Sequence, residues 1–151
     1  MSINKHSLLL LFILFLSCQA YPPGIYKVAR VVDGDTIVLN NGERIRYIGI
    51  DTPETVHPSK PVEYFGKEAS EANKKLVEGK RVRLEYDVQR VDQYGRTLAY
   101  VYLENGTFVN AWLVENGYAR VSTYPPNVKH QQRFLELEQK ARESKVGLWG
   151  K

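Results

Sequence analysis

Residues 25–50 contain three short segments of β character separated by two turn signals too brief for anything but hairpins. Residues 25–32 (IYKVARVV) run into Asp33-Gly34. Residues 36–39 (TIVL) run into Asn40-Asn41-Gly42, and residues 44–50 (RIRYIGI) alternate polar and apolar side chains. Asp-Gly and Asn-Gly tolerate the positive φ of tight hairpin turns, and period-two alternation marks a strand with one buried face. Three strands joined in this way form a meander.

The rest of the chain decides how the meander closes. Residues 52–61 carry Pro53, Pro58 and Pro61 and are expected to form an irregular loop. Phe65, Ala69, Ala72 and Leu76 then recur at spacings of three and four, one face of a helix that Gly79 terminates. Residues 81–88 alternate as a fourth strand. Asp92-Gln93-Tyr94-Gly95 turns the chain, and residues 97–103 (TLAYVYL) supply a fifth. A second helix directs Val109, Leu113 and Val114 inward and ends near Gly117, leaving the burial of Trp112 open. Residues 118–121 are short and extended. Pro125-Pro126 breaks the chain ahead of a third helix, about 129–144, striped by Phe134, Leu137 and Ala141; Trp149 is expected to anchor the tail in the core. Three strands, a helix, two strands and further helices define an α+β chain: a five-stranded OB-type β-barrel with about three helices.

The first 20 residues do not fit this barrel. Lys5 and His6 precede an unbroken apolar run at residues 8–16 (LLLLFILFL), followed by Ser17-Cys18-Gln19-Ala20. A basic start, a short apolar stretch and a small-residue exit predict a signal peptide at 1–20 and a mature domain at 21–151. The run is too short for a hydrocarbon core that needs roughly 20 apolar residues, so no transmembrane span is expected in the mature chain. Cys18 is the only cysteine, which rules out an internal disulfide. Two readings of it stay open: lipidation of Cys18 as in a bacterial lipoprotein, or ordinary cleavage after Ala20. The first anchors the domain to a membrane surface at the cell envelope, the second secretes it. Net charge is +4, which mildly favours a polyanionic partner.

Carboxylates and arginines concentrate at turns and strand ends. Asp33-Gly34-Asp35-Thr36 lies in the first turn, Arg46 on the third strand, Asp51-Thr52-Pro53-Glu54 directly after it, and Tyr94-Gly95-Arg96 at the start of the fifth strand. Antiparallel pairing would bring these segments to one mouth of the barrel. The residue types suit phosphodiester hydrolysis. A hard cation takes oxygen ligands, for which Asp35 and Asp51 are candidates. Charge developing on phosphorus takes guanidinium forks, for which Arg46 and Arg96 are candidates. The attacking water takes a base, for which Glu54 is the candidate.

The strings VVDGDTI (31–37), RIRYIGIDTPET (44–55), YGRTLAYVY (94–102) and VNAWLVENGYARV (109–121) resemble the staphylococcal nuclease, or thermonuclease, family, in order and over nearly the whole mature chain. The resemblance implies a calcium-dependent endonuclease that hydrolyses DNA and RNA and leaves 3′-phosphate ends. It implies Asp35, Asp51 and the carbonyl of Thr52 as Ca2+ ligands, and Arg46, Glu54 and Arg96 as catalytic residues. Tyr94 and Tyr124 become candidates for stacking on substrate, and Lys60 for attracting phosphate. The chain departs from the family pattern at Ser122-Thr123-Tyr124, where a Tyr-x-Tyr is usual, and in the loop around Lys60, which holds fewer lysines. A monomer is expected. The alternative is a catalytically inactive OB-type module that binds nucleic acid or protein; such copies typically lose the acidic and Arg-Glu-Arg residues that this chain retains. His57 and His130 lack neighbours at zinc-ligand spacing and are expected to be ordinary surface residues.

Overall fold

The computed structural model describes residues 24–55, 57 and 59–151. The leader expected at 1–20 and the residue Cys18 lie outside the described residues. Seven strands and three helices follow in the order β1 (Ile25–Asp33), β2 (Thr36–Leu39), β3 (Arg44–Tyr47), β4 (Ile50–Asp51), α1 (Gly66–Val77), β5 (Arg81–Glu85), β6 (Thr97–Leu103), α2 (Val109–Glu115), β7 (Arg120–Val121) and α3 (Gln131–Glu143), with a last 3-10 turn at Gly147–Trp149. Five strands close into a barrel in the order β1-β2-β3-β6-β5, and β4 pairs with β7 in a separate two-stranded sheet. This is the barrel that the strand and helix pattern predicts, with α1 inserted after the meander.

Two hairpins build the meander. Asp33 pairs with Thr36 across the Gly34-Asp35 turn. The next turn is held by Gly42 N–H donating to Leu39 O and Leu39 N–H donating to Glu43 O, with Gly42 at φ +86. The closing contact differs from expectation. β3 and β6 run parallel, with Ile45 opposite Thr97 and Arg46 opposite Leu98. Parallel pairing sets the two strand starts side by side, so Arg96, just before β6, comes level with the start of β3.

The third strand is also shorter than the alternation suggests. It stops at Tyr47, and the chain re-enters extended structure at Ile50 after a turn through Gly49 at φ +80. A β-carbon on Gly49 would sit 2.7 Å from the Phe134 ring, so α3 packs directly onto this turn. The fully buried face of α1 is Gly66, Ala69, Asn73 and Val77; of the expected stripe only Ala69 is fully buried, while Phe65, Ala72 and Leu76 are partly buried. The periodicity argument passed over Asn73 because it is polar. Inside, its oxygen accepts from the Tyr47 hydroxyl at 3.0 Å and its amide donates to Asp33 O at 3.2 Å, which satisfies it. At the C-terminus Leu148 is buried, whereas Trp149 is half-buried with the Arg142 guanidinium 3.7 Å from its ring centre. The tail is therefore anchored by Leu148 and not by Trp149. His130 is likewise no ordinary surface residue: Nε2 lies 2.8 Å from Glu85 Oε1, and the ring meets Tyr100 edge-on at 4.5 Å.

Candidate active site

The β1–β2 turn and the segment after β4 interlock by a close approach that a side chain would block. A β-carbon on Gly34 would lie 2.5 Å from Thr52 Oγ1. The missing side chain lets the Asp33-Gly34-Asp35 turn sit on Thr52. Asp35 is buried and accepts from Thr52 N–H at 2.9 Å on Oδ2 and from the Thr36 hydroxyl at 3.1 Å on Oδ1. These bonds fix the carboxylate of one predicted ligand against the backbone of another.

Arg46 gathers the predicted ligands from the β3 side. Its Nη2 lies 3.2 Å from Asp35 Oδ2 and 2.9 Å from Asp51 Oδ1, and Nη1 donates to the carbonyls of Tyr47 and Ile50 at 2.8 Å each. Two carboxylates thus converge on one guanidinium nitrogen. Their charges interfere. Burial first, then the charge of Asp35, pushes the Asp51 carboxyl upward, with Arg46 pulling the other way. Burial and the same Asp35 charge push Asp33 up to about 7. The excess negative charge and the all-oxygen donor set fit a hard divalent cation. Among the described residues no three His, Cys, Asp or Glu side chains close into a metal cage. The residues that could hold a cation here are Asp35 and Asp51, both in contact with Arg46, and Thr52, whose N–H is bound to Asp35.

Arg96 is held by a residue that the sequence analysis read only as part of a turn. Asp92 Oδ1 accepts from the backbone N–H groups of Tyr94 and Arg96 at 2.9 and 3.0 Å, and Oδ2 accepts from Arg96 Nε at 2.7 Å. The terminal nitrogens Nη1 and Nη2 of Arg96 remain for other partners. Asp-x-x-Gly-Arg was a usable signal: an Asp opening a tight turn is placed to catch the arginine that leaves it. Glu54 is set by Glu63, which accepts from Glu54 N–H at 3.1 Å and donates its own N–H to Glu54 O at 2.9 Å. The start of α1 presses on the same segment, since a β-carbon on Gly66 would lie 3.0 Å from Glu54 O. No sequence motif announces Glu63.

Two adjoining depressions share Tyr94 and Arg96. One, of about 490 Å³, is also lined by Arg46, Gln89, Ser122, Tyr124 and Asn127. The other, of about 650 Å³, is also lined by Glu54, Arg44 and Glu43. Arg46 and Arg96 border the first and Arg96 and Glu54 the second, so that Arg96 stands between the two halves of the cleft; Tyr94 borders both halves and Tyr124 the first, and both are exposed (74% and 76%). Both tyrosines are available for stacking. Lys60 is exposed on the loop before α1 and does not line the cleft. Gln89 and Asn127, absent from the sequence-based set, form its wall through two bonds between the Asn127 amide and the Gln89 backbone, at 2.8 and 2.9 Å.

A family model described as "Staphylococcal nuclease homologue" matches residues 44–151. The chain is 47% identical over 127 residues to the thermonuclease of Staphylococcus hyicus, covering 82% of this chain and 75% of that protein. It is 46% identical to the thermonuclease of Staphylococcus intermedius over the same shares. It is 44% identical to endonuclease YncB of Bacillus subtilis (strain 168), covering 81% of this chain and 60% of that protein.

Proposed function

The chain belongs to the staphylococcal nuclease family, and from that membership and the cleft between Asp35 and Arg96 we propose that it is a nuclease: a calcium-dependent endonuclease acting on DNA and RNA. The single observation that carries the reading is the convergence of Asp35 and Asp51 on Arg46, which lines one depression together with Arg96, while Arg96 lines the adjoining one together with Glu54. One side presents negative oxygens for a cation. The other presents guanidinium groups for a phosphate.

Bound between Asp35, Asp51 and the Thr52 carbonyl, a hard cation would supply positive charge to a phosphate oxygen. The protein groups do the rest. Arg96, steadied through Nε by Asp92, offers its two terminal nitrogens to the phosphoryl oxygens as charge accumulates on them. Arg46 provides a second fork once substrate competes for it. Glu54 takes a proton from the attacking water. A bond forms from that water oxygen to phosphorus, the bond from phosphorus to the 5′-oxygen breaks, and the leaving oxygen takes up a proton. The products are a 3′-phosphate and a 5′-hydroxyl. Tyr94 and Tyr124 offer faces for bases, each stack worth about 1–3 kcal/mol. The leader-like residues 1–20 support export, with Cys18 as a candidate lipid anchor.

The test compares the purified protein with Glu54→Gln on single-stranded DNA in calcium. Turnover is expected to fall by about 10²- to 10⁴-fold with little change in KM. The fragments should resist polymerase extension until a phosphatase removes the 3′-phosphate. Near-native turnover in the variant, or fragments extended without phosphatase, would contradict the assignment.

A further inference from the structure

Three arginines outside the cleft carry no compensating carboxylate. Each has its guanidinium carbon over an aromatic ring. Arg83 sits 4.4 Å above Tyr102, its cross-strand partner on β6. Tyr102 stacks on Phe108 at 4.4 Å and 15°, and Arg133 of α3 covers Phe108 at 5.2 Å. Arg90 lies 3.6 Å above Tyr86. All three arginines are exposed, and among the described residues none of them forms an ion pair. The acidic groups nearby are already engaged: Glu85 by Lys129 and His130, and Glu104 by Arg81. Among the described residues the three guanidinium groups are therefore left without a carboxylate partner.

We propose that the Arg83-Tyr102-Phe108-Arg133 stack, together with Arg90, is a second nucleic-acid contact that grips the strand beyond the cleft. This rests on the nuclease reading above and adds a surface to it. Three physical arguments favour a nucleic acid over any other polyanion. Guanidinium groups laid on rings are pre-oriented forks, which bind phosphate in two places at reduced entropic cost. The rings are covered on the protein side, and the outward planes of the exposed guanidinium groups can themselves stack on bases, the mode by which arginine binds single strands without sequence preference. Finally, the surface continues from the cleft: Gln89 and Asn127 line the cleft wall, Arg90 follows Gln89 directly, and Lys129 donates its N–H to Asp87 beside them at 3.2 Å. On this proposal a strand leaving past Tyr124 and Asn127 would reach Arg90, next in sequence to Gln89, and from there the stack.

The test uses Arg83→Gln/Arg133→Gln in the full protein. Two substrates are compared, a tetranucleotide that only the cleft can hold and a strand of about 20 nucleotides, longer than one OB barrel occupies. Cleavage in calcium gives activity; fluorescence anisotropy in chelator gives affinity against salt. The variant is expected to cleave the tetranucleotide as the native protein does. It should bind the long strand about tenfold more weakly at low salt, with a log–log salt slope shallower by about 1.4, two contacts at about 0.7 each. Unchanged affinity and slope would overturn the proposal. So would equal loss on both substrates, which would mean that the arginines act through the fold or the cleft. A third contrary outcome is weaker binding to anionic phosphatidylglycerol vesicles with nucleic-acid binding intact, which would assign the face to lipid. Failure of the native protein to cleave either substrate would instead refute the nuclease reading, and the affinity difference would still decide the surface.

Discussion

At Arg96 a charge and a geometry are supplied by different atoms. Nε is committed to Asp92 at 2.7 Å, so phosphate must be met by the two terminal nitrogens. A lysine has one nitrogen and cannot serve both. Arg96→Lys should therefore lose kcat/KM by about 10²- to 10³-fold, as for removal of one transition-state donor, and resemble Arg96→Ala; activity within a few-fold of native would show that Arg96 is only a strand-edge cation. The candidate residues were picked from sequence because their combination is rare, and the fold brings Asp35 and Asp51 to Arg46 and sets Arg96 between Arg46 and Glu54. Their supports were not. Glu63 and Asn73 look like ordinary helix-flank residues in sequence, and only the folded chain brings Glu63 to the Glu54 backbone and Asn73 beneath Asp33.

At the scale of elements, the meander, the inserted helix and the closing strands followed from periodicity and turn residues, because half-buried strands must alternate. Two features escaped that logic. The parallel β3–β6 pair depends on which edges meet when the barrel closes, a long-range choice that local pattern does not encode. The break at Gly49 was hidden inside an apparently continuous strand, Arg44 to Ile50. Gly49 is a pivot for both the site and α3: it lets Ile50 and Asp51 turn toward Arg46, and it makes room for Phe134. Gly49→Ala must adopt φ +80 and meet the ring at 2.7 Å, and is expected to cost about 2–4 kcal/mol. Urea denaturation would check this, and a midpoint equal to that of native protein would mean that the turn re-forms without strain.

Over the whole molecule, α3 is tied to the barrel by carboxylates with depressed pKa values. Burial alone would raise Glu85, but hydrogen bonds from His130 and Lys129 outweigh it and hold the carboxyl below its usual range. Asp87 is held down in the same way, against burial, by Tyr100 and the backbone of Lys129 and Val88. A depressed carboxylate stabilises the fold fully above its unfolded pKa, about 4, and that stabilisation is lost as pH falls through the lower folded value. Asp33 and Asp51 are raised and act in the opposite sense, so the test is a difference: Tm of native protein minus Tm of Glu85→Gln, expected to shrink as pH is lowered below about 4. A difference independent of pH would mean that the ionisation of Glu85 contributes nothing to folding. The central claim, that Asp35, Asp51 and the Thr52 carbonyl beside the cleft make this chain a calcium-dependent nuclease, is tested most directly by hydrolysis of DNA after chelation, titrated with calcium, magnesium and zinc in native protein and in Asp35→Ala. Calcium accepts about 6–8 oxygens in loose geometry, magnesium demands a tighter octahedron, and zinc prefers nitrogen or sulfur. Calcium should restore activity, magnesium should do so poorly, zinc not at all, and Asp35→Ala should not respond; strong activity with magnesium or zinc, activity in excess chelator, or a native calcium response in Asp35→Ala would contradict it.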